Sequence, residues 1–446
     1  MKIPQEIAKI INTFDGAGAQ VYLVGGSVRD SLLGLEVHDY DLATNLEPDQ
    51  VEELFFNYPL YKVGKKFGTL GIVSPQGLVE VTTYREDGAY EGHRKPKEVT
   101  FSKSLEEDLR RRDFTINAMA YHPQRGLVDL FDGRGDLEKR ILRTVGDPNR
   151  RFREDGLRIL RGLRFMGQLD FRIDHRTQEA MKNNRDLIDY LSRERIRDEV
   201  FKILVQDKPS RVLYKMLDLG ILEKILPSLM ATVGFDQKTP YHDKTLFDHI
   251  LCVVDRTPRK LNVRLAALFH DIEKPATLSI DQKTGRAHFF GHDSLGAQRA
   301  EEILRAYRAS KKDIDSVKAL ISDHMKVHQE MSDRALRRQI RRVGEDNVLD
   351  LYDLMLADMA CTVPGRDQTF LLERKKRIED LLAQGLPDQK SLKINGRDLM
   401  DLGLEEGPQI GQVLRALEEE LLDDPDKNKR DYLLDRARLY IREIKL

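Results

Sequence analysis

Val21-Tyr22-Leu23-Val24 runs into Gly25-Gly26-Ser27-Val28-Arg29-Asp30, and nine residues after Asp30 comes Asp39-Tyr40-Asp41-Leu42-Ala43-Thr44. The four apolar residues predict a short buried strand, and the diglycine predicts a tight passage into a helix that includes Ser27, Val28 and Arg29. Glycine lets backbone amides close on an anion, and the N–H groups and dipole at a helix start favour negative charge. A diglycine before a helix is also a plain turn, so the following segment decides. A strand period of two places Asp39 and Asp41 on one face and Tyr40 on the other. Two hard oxygen ligands side by side suit Mg²⁺, which keeps its other positions for water and substrate phosphates. The pair therefore predicts an α/β fold that cradles a nucleoside triphosphate beside a magnesium site.

Glu80, in the alternating stretch Leu78-Val79-Glu80-Val81-Thr82-Thr83, is the candidate third carboxylate, and the same alternation fits an exposed strand residue. Further strands are expected at Thr69–Val73 and near Leu127–Leu130. Leu109-Arg110-Arg111-Arg112-Asp113-Phe114-Thr115-Ile116-Asn117-Ala118-Met119-Ala120 reads as arginines entering an apolar helix. They need an anionic partner, either a triphosphate or the preceding Glu106, Glu107 and Asp108.

The chain has 446 residues, 33% of them charged and 7% aromatic, with no Trp and a net charge of −1. That length predicts two to four domains, and the charge-rich composition favours long helices over a β-sandwich. Without a global positive field, nucleic acid must be met by local patches. Candidates are Arg150-Arg151 with Arg153, the run Arg158, Arg161, Arg164, the five arginines between Arg334 and Arg342, and Lys375-Lys376-Arg377. Cys252 and Cys361 lack metal spacing, which points to a reducing cytoplasm. No apolar run reaches the ~20 residues of a membrane span, so no membrane association is expected.

Strand signals stop near residue 140, and the remainder reads as helical. In Glu154-Asp155-Gly156-Leu157-Arg158 a shared helix would turn Asp155 and Arg158 to the same side. A carboxylate accepts and a guanidinium donates, a pair that selects cytosine and adenine and rejects guanine and uracil by their pairing edges. The spacing equally fits an intrahelical salt bridge.

Taken together, Gly-Gly-Ser-Val-Arg-Asp, Asp-Tyr-Asp, Arg-Arg-Asp-Phe-Thr-Ile-Asn, Glu-Asp-Gly-Leu-Arg and Arg195-Ile196-Arg197-Asp198-Glu199 resemble the bacterial tRNA nucleotidyltransferases of the polymerase-β-like superfamily. The resemblance covers nearly the whole chain. It implies a mixed-sheet α/β head at 1–140, an all-helical neck at 141–210, a helical body at 211–384 and a helical, RNA-binding tail at 385–446. It implies that Asp39 and Asp41 hold Mg²⁺ with Glu80 nearby. Gly26, Ser27, Arg29, Arg112 and Asp113 would bind the nucleotide, and Asp155, Arg158, Arg161 and Arg164 would select C or A. The implied reaction adds CMP, CMP and AMP from CTP and ATP to the tRNA 3′ end. CC-only, A-only and poly(A) addition share most of these motifs, and a homodimer is compatible with the family. Tyr84–Glu98, with Gly88, Gly92 and Pro96, resembles the family's specificity-switching loop, and its length favours addition of the whole CCA.

The body carries a second resemblance. His-Asp occurs at 38, 242, 270 and 292. Only His270-Asp271 ends an apolar helical run, Arg264–Phe269, and continues as Ile272-Glu273-Lys274-Pro275, which resembles the metal motif of HD-domain phosphohydrolases. His249 and Asp358 match the outer ligands of that family. His292 and His324, or His328 in place of His324, would extend the site to a second metal. Mixed imidazole and carboxylate ligands favour Mn²⁺, Ni²⁺ or Fe²⁺. The implied activity is hydrolysis of phosphate esters such as 2′,3′-cyclic phosphate ends, and a chain working mainly as an RNA-end phosphohydrolase is the alternative from another class. In the tail, Gly407-Pro408 predicts a helix start.

Overall fold

The computed structural model describes every residue except 2, 38, 76, 88–89, 92–94, 97–98, 240–242, 327–330, 364, 387–391 and 445–446. Two compact units divide the chain, Met1–Met230 and Ala231–Leu446.

The first unit is built on a seven-stranded sheet. Its strands are β1 (Val21–Val24), β2 (Tyr40–Thr44), β3 (Leu60–Tyr61), β4 (Thr69–Ser74), β5 (Gly77–Thr83), β6 (Met119–His122) and β7 (Gly126–Asp129), in the order β7-β6-β1-β2-β5-β4-β3. All neighbours run antiparallel except β2 and β5, which are parallel. In that parallel pair Asp41 stands opposite Glu80, while across the antiparallel pair Asp41 stands opposite Val24. Register thus brings the acidic strand to the mouth of the diglycine turn. The helix Gly26–Leu32 follows Gly25 directly, as the apolar-run-to-diglycine pattern predicts. Helix Gln5–Gly16 buries Ile7, Ile10, Ile11 and Phe14, an i, i+3, i+4, i+7 stripe. Each such side chain contributes roughly 1.5–3 kcal/mol when fully buried.

The helix expected across Leu109–Ala120 is not formed. A short helix ends at Arg110, a 3₁₀ turn spans Thr115–Asn117, and β6 follows. Asp113 stops the helix: its Oδ1 accepts the N–H of Phe114 at 2.9 Å and the amide of Asn117 at 3.2 Å. Such local side-chain bonds compete with the helical ladder. The arginines therefore close a helix instead of opening one.

A second break falls in the neck. Helix Pro148–Glu154 starts on an Asp147 cap with Pro148 in its first turn, and helix Leu157–Leu169 follows. Asp155 lies between them with extended backbone, its Oδ1 accepting the N–H of Leu157 at 3.0 Å. Asp155 and Arg158 therefore do not share the single helix that the spacing predicts. Helix Leu157–Leu169 buries Ile159, Leu160, Leu163, Phe165 and Met166. Arg85–Asp87 pairs with Val99–Phe101, and Tyr90–Glu91 with Lys95–Pro96, within the segment compared with the switching loop. Gly88 and Gly92 of that comparison lie outside the described residues.

Among the described residues, the second unit is helical apart from one hairpin, Ser279–Ile280 with Ala287–His288. Helices Leu246–Arg256, Leu261–Phe269, His292–Ala306, Lys311–Asp323 and Glu345–Ala360 carry its polar centre. Its C-terminal part packs Leu399, Val413, Leu417, Leu421, Leu433 and Ala437 into a core of its own. Pro408 occupies the first turn of helix Pro408–Asp423. None of the described helices is long and apolar enough to cross a membrane.

Candidate functional site

Gly25 adopts φ +72° and ψ −134°, a conformation that glycine alone accepts without strain. A Cβ there would lie 3.1 Å from Arg112 Nη1 and 3.6 Å from Asp41 Oδ2. A guanidinium and a carboxylate thus close onto bare backbone at the end of β1. Burial pushes the Asp41 carboxyl up, Glu80 and Asp39 push it further, and Arg112 pulls it down, leaving it at about 6. Negative charge at this spot is under-compensated, and a divalent cation fits the donor set. Asp39 and Glu80 are exposed, which leaves their side open to a ligand. Among the described residues, the sets of three ligand atoms lying within 4.8 Å of one another are both in the second unit. The three head carboxylates adjoin less closely than that.

The other nucleotide-binding candidates form a relay. Ser27 donates to the Val24 carbonyl at 2.9 Å. Arg29 is buried, holds both Asp30 oxygens and donates to Asn117 Oδ1 at 2.8 Å. A Cβ on Gly26 would sit 3.6 Å from that guanidinium. Asn117 in turn donates to Asp113, whose other oxygen accepts from Arg161 at 2.7 Å. Burial pushes Asp113 up, but the Arg161 charge and the bonds from Arg161 and Asn117 outweigh it and hold the carboxyl at about 2. Arg112 donates to Asp108 at 3.1 Å, and its buried Nε has no hydrogen-bond partner.

The four neck candidates are separated by their partners. Asp155 accepts from Arg195 at 2.7 Å. Arg158 instead binds Glu154 at 2.6 Å and the carbonyls of Arg151 and Arg111. Arg164 binds Glu199 at 2.6 Å. Arg29, Arg161 and Arg164 surround the ring of Phe165, at 5.0, 5.4 and 4.2 Å from its centroid. Such cation–π contacts hold guanidiniums in place without consuming their donors. Sequence reasoning missed Phe165, Asn117 and Glu154 as organisers. Arg195 and Glu199 stood in a quoted motif, and the structure gives them work as the partners of Asp155 and Arg164.

In the second unit, six expected ligands converge as two triads, His249/His270/Asp358 and Asp271/His292/His324. Asp271 faces both. Its Oδ2 lies 3.2 Å from His270 Nε2 and 3.6 Å from His249 Nε2, and its Oδ1 lies 3.3 Å from His292 Nε2 and 3.8 Å from His324 Nε2. His249 Nε2 is 3.0 Å from Asp358 Oδ1. Each imidazole presents its Nδ1 to a backbone carbonyl: His249 to Cys361 at 3.4 Å, His270 to Ala267 at 2.8 Å, His292 to Phe289 at 2.6 Å and His324 to Ile321 at 2.6 Å. A carbonyl only accepts, so Nδ1 carries the proton and Nε2 turns a lone pair inward. The Nε2 atoms of His270, His292 and His324 are buried without a hydrogen-bond partner. That donor set fits two divalent transition metals sharing the Asp271 carboxylate. His328, the expected substitute for His324, lies outside the described residues, as do His38 and His242.

Cys252 and Cys361 are joined, with a Cα–Cα separation of 5.9 Å. The cysteines therefore do not support the expected reducing compartment. The bond links the helix of His249 to the end of the helix of Asp358.

Family models match in the same order as these features. "Poly A polymerase head domain" covers residues 21–143, "Probable RNA and SrmB- binding site of polymerase A" covers 170–232, and tRNA nucleotidyltransferase domain 2 covers 287–437. The mixed-sheet head and its helical continuation are those of a nucleotidyltransferase of the poly(A) polymerase superfamily. The CCA-adding enzyme of Lactobacillus helveticus is 40% identical over 440 residues, 96% of each chain, and that of Levilactobacillus brevis is 33% identical over 430 residues, 95% of each chain. At that identity and coverage, the chain belongs to the CCA-adding enzyme family. The crystal structure of the Bacillus stearothermophilus CCA-adding enzyme in complex with CTP superposes with a TM-score of 0.73 at 28% identity, covering 100% of both chains. The Thermotoga maritima CCA-adding enzyme complexed with tRNA shares the fold at a TM-score of 0.54 and 21% identity, over 98% of this chain and 96% of that one.

Proposed function

We propose that the first unit adds CMP, CMP and AMP to the 3′ end of tRNA from CTP and ATP, without a nucleic-acid template. The observation that carries this reading is the register that sets Asp41 against Glu80 beside the bare backbone of Gly25 and the Arg112 guanidinium. Asp39 and Asp41 hold Mg²⁺, with Glu80 adjoining, and Mg²⁺ bound there favours ionisation of the attacking hydroxyl and neutralises the leaving pyrophosphate. The amides around Gly25 and Gly26 and the Arg112 guanidinium receive the triphosphate. The 3′ hydroxyl oxygen attacks the α-phosphorus, its proton passes to water, and the bond to pyrophosphate breaks. Ser27 and Arg29 act from behind, fixing the turn and Asn117. Asp155, Arg158, Arg161 and Arg164 form the base-selecting surface. Asp155 and Arg158 exchange their present partners, Arg195 and Glu154, for the amino donor and ring-nitrogen acceptor of C or A.

The test supplies a tRNA transcript lacking CCA, Mg²⁺, and labelled CTP and ATP singly and together. Two C additions followed by one A are expected. Long A tails, or addition of only C or only A, would replace this reading with a poly(A), CC-only or A-only enzyme.

A second activity is favoured by the four imidazoles clamped through Nδ1 around Asp271. The second unit, in this reading, hydrolyses phosphate esters of the 2′,3′-cyclic type. The six ligands would hold Mn²⁺, Ni²⁺ or Fe²⁺, which would supply polarisation of the phosphoryl group and a lower pKa for water. Water adds to phosphorus, one ring P–O bond breaks, and the departing ribose oxygen takes a proton. Lys274, whose Nζ lies 2.7 Å from Asp271, places a positive charge where the ester's negative charge would sit. Asp41→Ala is expected to abolish nucleotide addition and spare hydrolysis, and Asp271→Ala to do the reverse. Loss of both activities in both variants would sink the assignment of two separate sites.

A further inference from the structure

The hairpin beside the second-unit site carries an aromatic surface that phosphate hydrolysis alone does not account for. Phe289 turns inward, its ring 5.5 Å from Lys274 Nζ and 6.3 Å from the Phe235 ring, and its carbonyl accepts from the ligand His292. His288 and Phe290 stack on each other, with centroids 5.2 Å apart and planes 9° from parallel. Phe290 is 79% exposed. Gly291, at φ +78°, then swings the chain back so that His292 enters the site. One residue, Gly291, separates Phe290 in sequence from the ligand His292.

An exposed aromatic ring beside a site that would take a phosphate ester offers an apolar face to a planar partner. Its flat, pre-stacked face suits a planar π system, and the exposed Lys283 and Arg286 of the hairpin turn add positive charge on the same element. A nucleobase joined through ribose to a phosphate ester supplies both a planar ring and negative charge. We propose that Phe290, backed by His288, is a stacking platform for the nucleobase of the phosphate ester that the six-ligand site receives, which makes that site selective for nucleotide or RNA ends over base-free esters. The proposal rests on the phosphohydrolase reading of the same site.

Two measurements on the full-length protein test it. Photocrosslinking with 8-azidoadenosine monophosphate, mapped by peptide mass spectrometry, is expected to label the hairpin peptide containing Phe290, to be competed by AMP, and to be lost there in Phe290→Ala. Base stacking on an aromatic side chain is worth about 1–3 kcal/mol. With Mn²⁺ present, Phe290→Ala should therefore raise KM for adenosine 2′,3′-cyclic phosphate about tenfold with kcat little changed. KM for glycerol 1,2-cyclic phosphate should stay the same, and Phe290→Trp should restore the first value. Crosslinks confined to the first unit, or equal KM changes for both esters, overturn the platform. If the wild-type protein hydrolyses neither ester, the phosphohydrolase reading falls, and the crosslinking arm alone decides whether a base binds at Phe290.

Discussion

Asp113 shows how much one carboxylate organises. It stops a helix, fixes Asn117 and anchors Arg161. Its carboxyl is held at about 2 against an ordinary 3.8. A carboxyl lowered in the folded state stabilises the fold above its unfolded pKa, and that contribution disappears as pH falls from about 4 towards 2. The linked free energy is of the order of 2 kcal/mol. Asp113→Asn should therefore destabilise the first unit by about that amount at pH 7, and the difference from wild type should shrink as denaturation is followed down to pH 2. Gly25 offers a sharper probe of the site. Gly25→Ala forces a side chain into left-handed backbone at a cost of about 1–3 kcal/mol and presses on Arg112. Nucleotide addition should drop at least tenfold, measured by labelled nucleotide joined to a tRNA lacking CCA, while hydrolysis by the second unit is unaffected. Both residues stood in legible motifs. What their motifs did not reveal was the bonding: Asp113 as a helix stop and Arg29 paired with Asp30 and Asn117 depend on close approaches that a residue string does not contain.

At the scale of elements, strands announced themselves where they were long enough to alternate or were bounded by glycine. β1, β2, β4, β5 and β7 fall where the pattern puts them. β3 has only two residues, and β6 follows an arginine-rich helix whose apolar run mimics a continuation. The break at Asp155 was hidden for a related reason: a carboxylate and an arginine three apart look alike whether the chain between them is helical or capped. The neck helix also depends on a contact that its sequence conceals. A Cβ on Gly162 would meet Met181 Cε at 2.4 Å and Phe114 Cζ at 2.8 Å. Gly162→Val should overpack this contact and cost about 1–3 kcal/mol, read as a lower denaturation midpoint. In the second unit the ligand helices were legible from motif order, but their carbonyl clamps were not. His324→Ala removes a ligand from the Asp271/His292/His324 triad only. Metal analysis after dialysis against Mn²⁺ should fall from two ions per chain towards one.

For the whole molecule, the division into an α/β head and a mostly helical remainder follows from where strand signals stop, but the neck expected to be all helical holds a short parallel pair, Ile141–Leu142 with Arg172–Ile173, too brief to alternate visibly. The pairing of Cys252 with Cys361 was out of reach, since 109 residues separate them. Dithiothreitol should lower the second unit's melting temperature and loosen its bound metal. Nucleotide addition by the first unit should continue. The bond encloses His270, Asp271, His292, His324 and Asp358, with only His249 outside, one helical turn before it. Closing a loop of this length removes freedom from the unfolded chain worth about 5 kcal/mol in the chain-entropy model. Once the bond exists, His249 and Asp358, each three residues before a bonded cysteine, become near neighbours even in the denatured ensemble, so metal capture starts from a chain already folded back on itself.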